Sequence, residues 1–142
     1  MKSKLILVAG PSSSGKSTLA QALCKKLGAR HTRALSLDHY YHDLRHLTPE
    51  LNAIAALKIF VDLDDNIALQ RRLERDIRER GRTPECITRQ FNETVRPANE
   101  KHIRPSAKNA DLVLNGNQPI KDYLKAIGAT DWGLKGWCNM HL

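Results

Sequence analysis

The chain alternates between short apolar runs and longer stretches in which apolar residues recur at every fourth position. The runs predict four strands, at about residues 4–9, 32–37, 58–62 and 111–114. Strands that alternate with helices predict an α/β fold with a parallel sheet flanked by helices, joined by right-handed connections. Residues 128–142 show no period, so we predict one domain over residues 1–127 and a C-terminal tail.

The most strongly patterned helix follows the third predicted strand. Asp64 and Asp65 open it, where carboxylates suit the positive helix N-terminus, and Gly81 closes it. Apolar residues at fourfold spacing predict which face is buried, and they are Leu69, Leu73 and Ile77.

Three further helices are predicted. The first begins at Lys16 and stops at Gly28, with Leu19, Leu23 and Leu27 on its buried face. Another begins near Pro84 and breaks at Pro97, and its apolar positions are Ile87, Phe91 and Val95. The last occupies about residues 120–127 and ends at Gly128.

Composition and charge narrow the class of protein. The 142 residues include no apolar run long enough for a membrane helix, and the three isolated cysteines favour a reducing cytoplasm. The net charge of +8 favours an anionic partner, either nucleic acid or phosphorylated small molecules. Aromatic residues are few and do not alternate with the basic ones, which disfavours nucleic acid.

The segment Gly10–Ser17 matches the phosphate-binding pattern G-x-x-x-x-G-K-[ST] completely. Backbone N–H groups of such a loop point at phosphate oxygens, and the following helix adds its positive end. A chance glycine-rich turn is the alternative, but the loop follows an apolar strand and precedes a helix, as the mechanism requires. We expect a nucleoside triphosphate, ATP or GTP, to contact Gly10, Ser12, Ser13, Ser14, Gly15, Lys16, Ser17 and Thr18.

Within this loop the side chains have distinct expected roles. Lys16 reaches the β- and γ-phosphates, the Ser17 hydroxyl binds Mg²⁺, and Thr18 supports the α-phosphate. Asp38 ends the second predicted strand, at the sheet edge where α/β proteins bind ligands. It could accept a proton from an attacking hydroxyl or help to hold Mg²⁺, and the alternative is a turn or N-cap aspartate.

The helix after the third strand is rich in arginine. Arg71, Arg72, Arg75, Arg78, Arg80 and Arg82 alternate with Glu74, Asp76 and Glu79. Composition alone favours a solvated helix held by salt bridges. The sharper interpretation is a lid over about residues 64–97, whose arginines neutralise the charge of transferring phosphates.

These stretches together resemble a known family. Beside the glycine loop they comprise Ser36–Tyr41, Phe60–Asp62, Arg71–Arg82, Gln90, Val95–Pro97, Ile103–Ser106 and Ala110–Asp111. In order and spacing the sequence is similar to the uridine kinase and phosphoribulokinase group of P-loop kinases, over most of residues 4–116. The resemblance implies ATP-dependent phosphorylation of the 5′-hydroxyl of uridine or cytidine.

The resemblance also implies roles for individual residues. Asp38 would be the general base that accepts the proton of the nucleoside hydroxyl. Arg75 and Arg80 would be lid arginines near the triphosphate. The residues that would face the nucleoside are Tyr41, Arg72, Arg82 and Gln90. A homo-oligomer is a further expectation from the family.

The chain departs from the family between Pro49 and Lys58, where only eight residues intervene. Uridine kinases have a much longer segment here, which supplies a pyrimidine pocket and a strand ending in a magnesium-assisting glutamate. A stretch missing from the printed sequence, a deletion, and a divergent member with a differently built pocket remain open. The alternative functions are therefore a non-catalytic nucleotide-binding protein and a kinase for another small metabolite.

Three weaker patterns have ordinary interpretations. His39, His42 and His46 share a helical spacing, but a polar surface loop is favoured over a metal site. Asp62 and Asp64 are interpreted as end groups of a strand and a helix, and not as a catalytic pair. Residues 128–142, with two tryptophans, are expected to pack on the body of the domain.

Overall fold

The computed structural model describes residues 4–36 and 53–130. Within these ranges three parallel strands form one sheet in the order β1-β2-β3, with β1 at Leu5–Ala9, β2 at Ala55–Asp62 and β3 at Leu112–Asn115. Val8 lies opposite Ile59, and Phe60 opposite Val113. The parallel α/β class is confirmed, and β2 begins three residues earlier than the apolar run alone predicted.

The strand predicted at residues 32–37 is wrong over the part that is described. Residues 32–36 form no strand, and Leu35 is 80% exposed. Strand propensity needs a paired neighbour to take effect, because it mostly reflects packing on a half-buried sheet. In the described ranges β1 pairs with β2 alone, and residues 32–36 pair with no strand.

The helices α1 (Lys16–Leu27) and α2 (Asp65–Arg80) start and stop as predicted. Asp64 caps α2 because its Oδ1 accepts the N–H of Asn66 at 2.8 Å. Gly81 ends α2 in the left-handed conformation, with φ of 59°, which glycine adopts without steric cost. The capping residues therefore predict both ends of α2 correctly.

A continuous helical segment joins α2 to β3, and the break predicted at Pro97 is wrong. Its successive parts are α3 (Pro84–Gln90), a π turn (Phe91–Val95), α4 (Arg96–Ala98), a second π turn (Asn99–Ile103) and a 3₁₀ helix (Arg104–Asn109). The N–H of Arg96 donates to the Phe91 carbonyl, five residues back.

The π turns explain why proline is accepted. In an α-helix the ring of a proline clashes with the carbonyl four residues earlier. The two prolines inside the segment, Pro97 and Pro105, come directly after an arginine whose N–H bonds five residues back, Arg96 to Phe91 and Arg104 to Asn99. The wider turn gives each ring room, so the helical path continues past it.

Helices pack on one face of the sheet and at the end of its central strand. Together with α1, the final helix α5 (Ile120–Ala129) packs on one face, in a core of Leu19, Leu23, Leu57, Ile59, Val61, Leu114, Tyr123 and Ile127. A smaller cluster joins the end of β2 to α2 and the π turn through Leu63, Ala68 and Phe91. The helix α5 runs one residue past Gly128, which was expected to end it.

The buried face of α2 matches the predicted one only in part, since Leu69 packs against the smaller cluster. Ala68 and Asp76 are fully buried, whereas Ile77 is 43% exposed. The stripe that faces inward is therefore shifted by one residue and carries a charge. In the described ranges no helix is long and apolar enough to cross a bilayer.

Candidate functional site

The glycine loop lies between β1 and α1, pressed against the end of the central strand. A Cβ on Gly10 would stand 2.2 Å from the backbone oxygen of Val61, and the φ of Gly10 is 149°. Only glycine meets both conditions, the close approach and the positive φ. The packing of the loop against the sheet thus requires the first glycine of the motif.

Two further residues curl the loop. Ser13 has a φ of 62° and Gly15 a φ of 93°, so the backbone turns through the left-handed region twice in three residues. Such turns gather backbone N–H groups into an anion-binding concavity. Gly15 is also the N-cap of α1, and no side chain caps that helix. Loop and helix end are therefore built to hold an anion.

The side chains of the loop occupy three environments. Lys16 Nζ donates to the Pro11 carbonyl at 2.7 Å, which places the ammonium back over the loop. Ser14 is fully buried, and its hydroxyl and that of Ser13 have no hydrogen-bond partner among the described residues. Ser17 and Thr18 are exposed on the first turn of α1. A phosphate or a metal ion can therefore reach the Ser17 hydroxyl.

Arg71 joins the glycine loop to the residues that directly follow β3. Its NH1 donates to the carbonyls of Ser13 at 3.3 Å and Gly116 at 3.0 Å, and its NH2 donates to Asn117 Oδ1 at 3.2 Å. The sequence placed Arg71 in the lid without a specific partner. Its clamp on the loop could not be deduced from spacing, because the partners lie 45 or more positions away.

An open cavity of about 440 Å³ lies at the carboxyl ends of β2 and β3, lined in part by Ile67, Asn115 and Asn117. Ligands of parallel α/β sheets bind at this edge. Asp62 and Asp64 also line it, but their carboxylates accept backbone N–H groups of Leu63 and Asn66. Their interpretation as end groups is confirmed.

Four of the predicted site arginines converge on one buried carboxylate, that of Asp76. Arg75 Nε donates to Asp76 Oδ1 at 2.9 Å. The other three lie slightly too far for a hydrogen bond, with Arg72 Nε and Arg82 NH1 each 3.6 Å from Oδ2 and Arg80 NH1 3.7 Å from Oδ1. Gln90 joins the same group because its Oε1 accepts from Arg72 NH2 at 3.1 Å.

We call these five residues, with Asp76, the arginine cluster. Burial acts to raise the pKa of Asp76, but the hydrogen bond from Arg75 and the charges of Arg75, Arg80 and Arg72 outweigh it and lower the pKa. The pKa of Arg72 is lowered, chiefly by its own burial. Asp76 is therefore ionised wherever the protein is folded near neutral pH.

The sequence pattern groups the arginines but does not distinguish Asp76 from the other acids between them. Of Glu74, Asp76 and Glu79, Asp76 alone is buried. The available signal was spacing, since Arg72 and Arg80 stand four residues before and after it on α2. Asp38 and Tyr41, predicted as base and nucleoside contact, lie outside the described residues, as do the three clustered histidines and the tryptophans.

Among the residues that the structure describes, no three His, Cys, Asp or Glu side chains form a metal-binding group. A parallel sheet whose first strand runs into a G-x-x-x-x-G-K-S loop and a helix defines a P-loop nucleotide-binding fold. With an arginine-rich helix beside the loop, the class is a P-loop kinase fold.

Comparison with known proteins identifies the family within this class. The model of the phosphoribulokinase/uridine kinase family matches residues 39–120, more than half of the chain. The chain therefore belongs to the phosphoribulokinase/uridine kinase family, whose members are P-loop kinases.

Individual relatives agree. The chain is 46% identical over 65 residues to uridine-cytidine kinase A of Dictyostelium discoideum, covering 46% of this chain and 13% of that protein. It is 50% identical over 58 residues to uridine-cytidine kinase-like 1 of Mus musculus, covering 41% of this chain and 11% of the relative. The uridine kinase of Staphylococcus epidermidis is 26% identical over 178 residues, covering 78% of this chain and 86% of the enzyme.

The bacterial alignment also measures what this chain lacks. A share of 78% of 142 residues is about 111 residues, so about 67 of the 178 aligned positions have no residue of this chain opposite them. The relative thus contains internal sequence that is absent here, as the short connection after Pro49 predicts. The chain spans less than a sixth of the Dictyostelium and mouse proteins.

Proposed function

We propose that this protein transfers the γ-phosphate of ATP to a small-molecule hydroxyl, and that the acceptor is the 5′-hydroxyl of uridine or cytidine. The observation that carries the proposal is a complete phosphate loop, folded between β1 and α1, in a chain that matches the uridine kinase family over residues 39–120. The names of the bacterial and eukaryotic relatives support the choice of acceptor.

We assign triphosphate binding to the loop, the start of α1 and a few side chains, all within the residues that the structure describes. The loop backbone and the uncapped start of α1 hold phosphate oxygens, and Lys16 adds a positive charge beside them. Ser17 is exposed and fits the role of a Mg²⁺ ligand. A bound Mg²⁺ supplies charge neutralisation on the phosphates. Arg75 and Arg80 of the arginine cluster are proposed to meet the triphosphate from the lid side.

The transfer step needs a base and a positioned nucleophile. The oxygen of the nucleoside hydroxyl bonds to the γ-phosphorus while the bond from that phosphorus to the bridging oxygen of ADP breaks. The hydroxyl proton passes to the carboxylate of Asp38. Arg72, Arg82, Gln90 and Tyr41 are proposed to hold the nucleoside, and the first three already lie in one cluster. Catalysis is then positioning plus electrostatic stabilisation.

The test is release of ADP by the purified chain, measured with and without uridine or cytidine. We expect release to require the nucleoside and to be abolished by Asp38→Asn. Asp122→Asn makes the same chemical change at an exposed position of α5 and is expected to leave the rate unchanged. ATP turnover that ignores the nucleoside and survives Asp38→Asn contradicts the proposal.

A second candidate is a non-catalytic nucleotide-binding protein. It is favoured by the absence of about 67 aligned positions and by the unpaired edge of β1 within the described ranges. Such a protein binds ATP but forms no phosphorylated product with any nucleoside. A kinase for another metabolite instead shows ADP release with a different acceptor, so a panel of small hydroxyl compounds distinguishes the three. The cytoplasmic location and the homo-oligomer stay predictions.

A further inference from the structure

The arginine cluster contains more positive charge than its carboxylate neutralises. Four guanidinium groups lie within 4 Å of Asp76, which contributes one negative charge. Within the described ranges these arginines also bond to Gln90 and Cys86, which are neutral. An excess of three positive charges therefore remains within the described part of this cluster.

The cluster is also directed outward. Arg72 is largely covered, with 12% of its side chain exposed, whereas 37% of Arg75 and 58% of Arg80 are exposed. A structural ion pair requires one cation for one anion, and further cations bring repulsion. Partly exposed arginines gathered beyond that need are the usual composition of a site for phosphate or another anion.

Asp76 fixes this arrangement through both its backbone and its side chain. Its carbonyl accepts the N–H groups of Gly81 and Arg82, so the chain turns back at the end of α2 and returns Arg82 to the carboxylate. Its side chain is fully buried, and among the described residues only Arg75 approaches it within hydrogen-bonding distance. Residues from α2 and from the turn after it thus share one centre.

We propose that Asp76 is a positioning residue, which holds Arg75 and Arg80 as a preorganised receptor for a polyphosphate group and keeps Arg72 and Arg82 at fixed positions beside them. The inference deepens the proposed kinase function and rests on it for the identity of the physiological ligand. Asp76 itself does not touch the phosphate, because it is buried beneath the arginines. Its contribution is to keep mutually repelling guanidinium groups at fixed positions before the ligand arrives.

The direction in which anion affinity changes when Asp76 loses its charge distinguishes this role from simple charge balance. If Asp76 only cancels positive charge, removing its charge makes the site more cationic and strengthens binding of an anion. If Asp76 positions the arginines, the same change disperses them and weakens binding. Asp76→Asn keeps the shape of the side chain and removes only the charge, so the two roles predict opposite shifts.

The probe is inorganic tripolyphosphate, titrated calorimetrically into the full chain without any nucleoside. We expect Asp76→Asn to weaken binding about tenfold, the loss of one charge-assisted contact network. Glu79→Gln removes an exposed acid that pairs with Arg78 on the same helix, and we expect its affinity to stay within about twofold. Equal or tighter binding by Asp76→Asn overturns the proposal.

A second variant covers the case in which Asp76→Asn does not fold. Asp76→Glu keeps the charge but moves the carboxylate by one methylene group, and we expect about threefold weaker binding. Unchanged affinity for this variant shows that charge alone matters and overturns the positioning role. Because tripolyphosphate binding involves no phosphoryl transfer, the receptor can be confirmed or refuted whatever the outcome of the uridine assay.

Discussion

Replacing Gly10 by alanine adds one methyl group at the point where the phosphate loop leaves β1. The added Cβ would lie 2.2 Å from the Val61 carbonyl oxygen and 3.0 Å from Ser14 Oγ. Real Cβ atoms essentially never approach another atom within 3.0 Å, so either the loop or β2 must move. Val61 is fully buried in the central strand, which makes its backbone the harder of the two to displace.

The cost of this change has two parts. Overpacking that forces a backbone shift costs about 1–3 kcal/mol, and a non-glycine residue at a sparsely populated positive φ costs about 1–3 kcal/mol. We therefore expect Gly10→Ala to lower the free energy of unfolding by about 3 kcal/mol or more, a large share of the roughly 5–15 kcal/mol of an ordinary domain.

The matched control is Gly128→Ala, the same chemical change in the last turn of α5. A Cβ there meets nothing within 4 Å, so alanine adds helix propensity without a clash. We expect it to stabilise the chain by about 0.5–1 kcal/mol. Urea unfolding followed by far-ultraviolet circular dichroism compares the two. A Gly10→Ala midpoint equal to or above that of the unmodified protein refutes the packing argument.

Three other predictions concern the elements around the loop. Arg71→Met removes the three hydrogen bonds through which Arg71 joins the loop to Gly116 and Asn117, and we expect the Kd for ATP to rise about tenfold in a titration. Arg78→Met, an exposed control on the same helix, should change this Kd less than about twofold. Equal changes of the Kd in the two variants contradict the clamp. Because the folded state lowers the pKa of Asp76, its stabilising contribution is present above the ordinary value of 3.8 and is lost as pH falls through the folded value. The stability difference between the unmodified chain and Asp76→Asn should therefore shrink on acidification from about pH 6 to about pH 3, and a constant difference counts against this coupling. Asp64→Ala removes the N-cap of α2 and should cost about 1 kcal/mol in thermal unfolding, whereas an unchanged Tm shows that the cap contributes nothing.

The sequence predicted best where the signal is local. The glycine loop, the N-cap at Asp64 and the left-handed stop at Gly81 each depend on a few adjacent residues, and the structure has all three. The break predicted at Pro97 failed because a π turn, which no proline rule anticipates, makes room for the ring.

Features that depend on distant partners could not be predicted. Residues 32–36 have the composition of a strand but pair with no strand of the described sheet. The buried face of α2 was predicted only in part, because Leu69 packs inward but the spacing also pointed to Ile77, where the inward position belongs to charged Asp76. An ion pair is a sufficient reason to bury a carboxylate, but its partners are visible only in the fold.

The most direct test of the central claim is the fate of the γ-phosphorus atom, followed by phosphorus NMR after the purified chain is mixed with ATP, Mg²⁺ and uridine. We predict that the γ-phosphate signal is replaced by that of a nucleoside monophosphate, in equal amount to the ADP formed. Loss of the γ-phosphate to inorganic phosphate alone, or no loss at all while ATP is bound, contradicts the account.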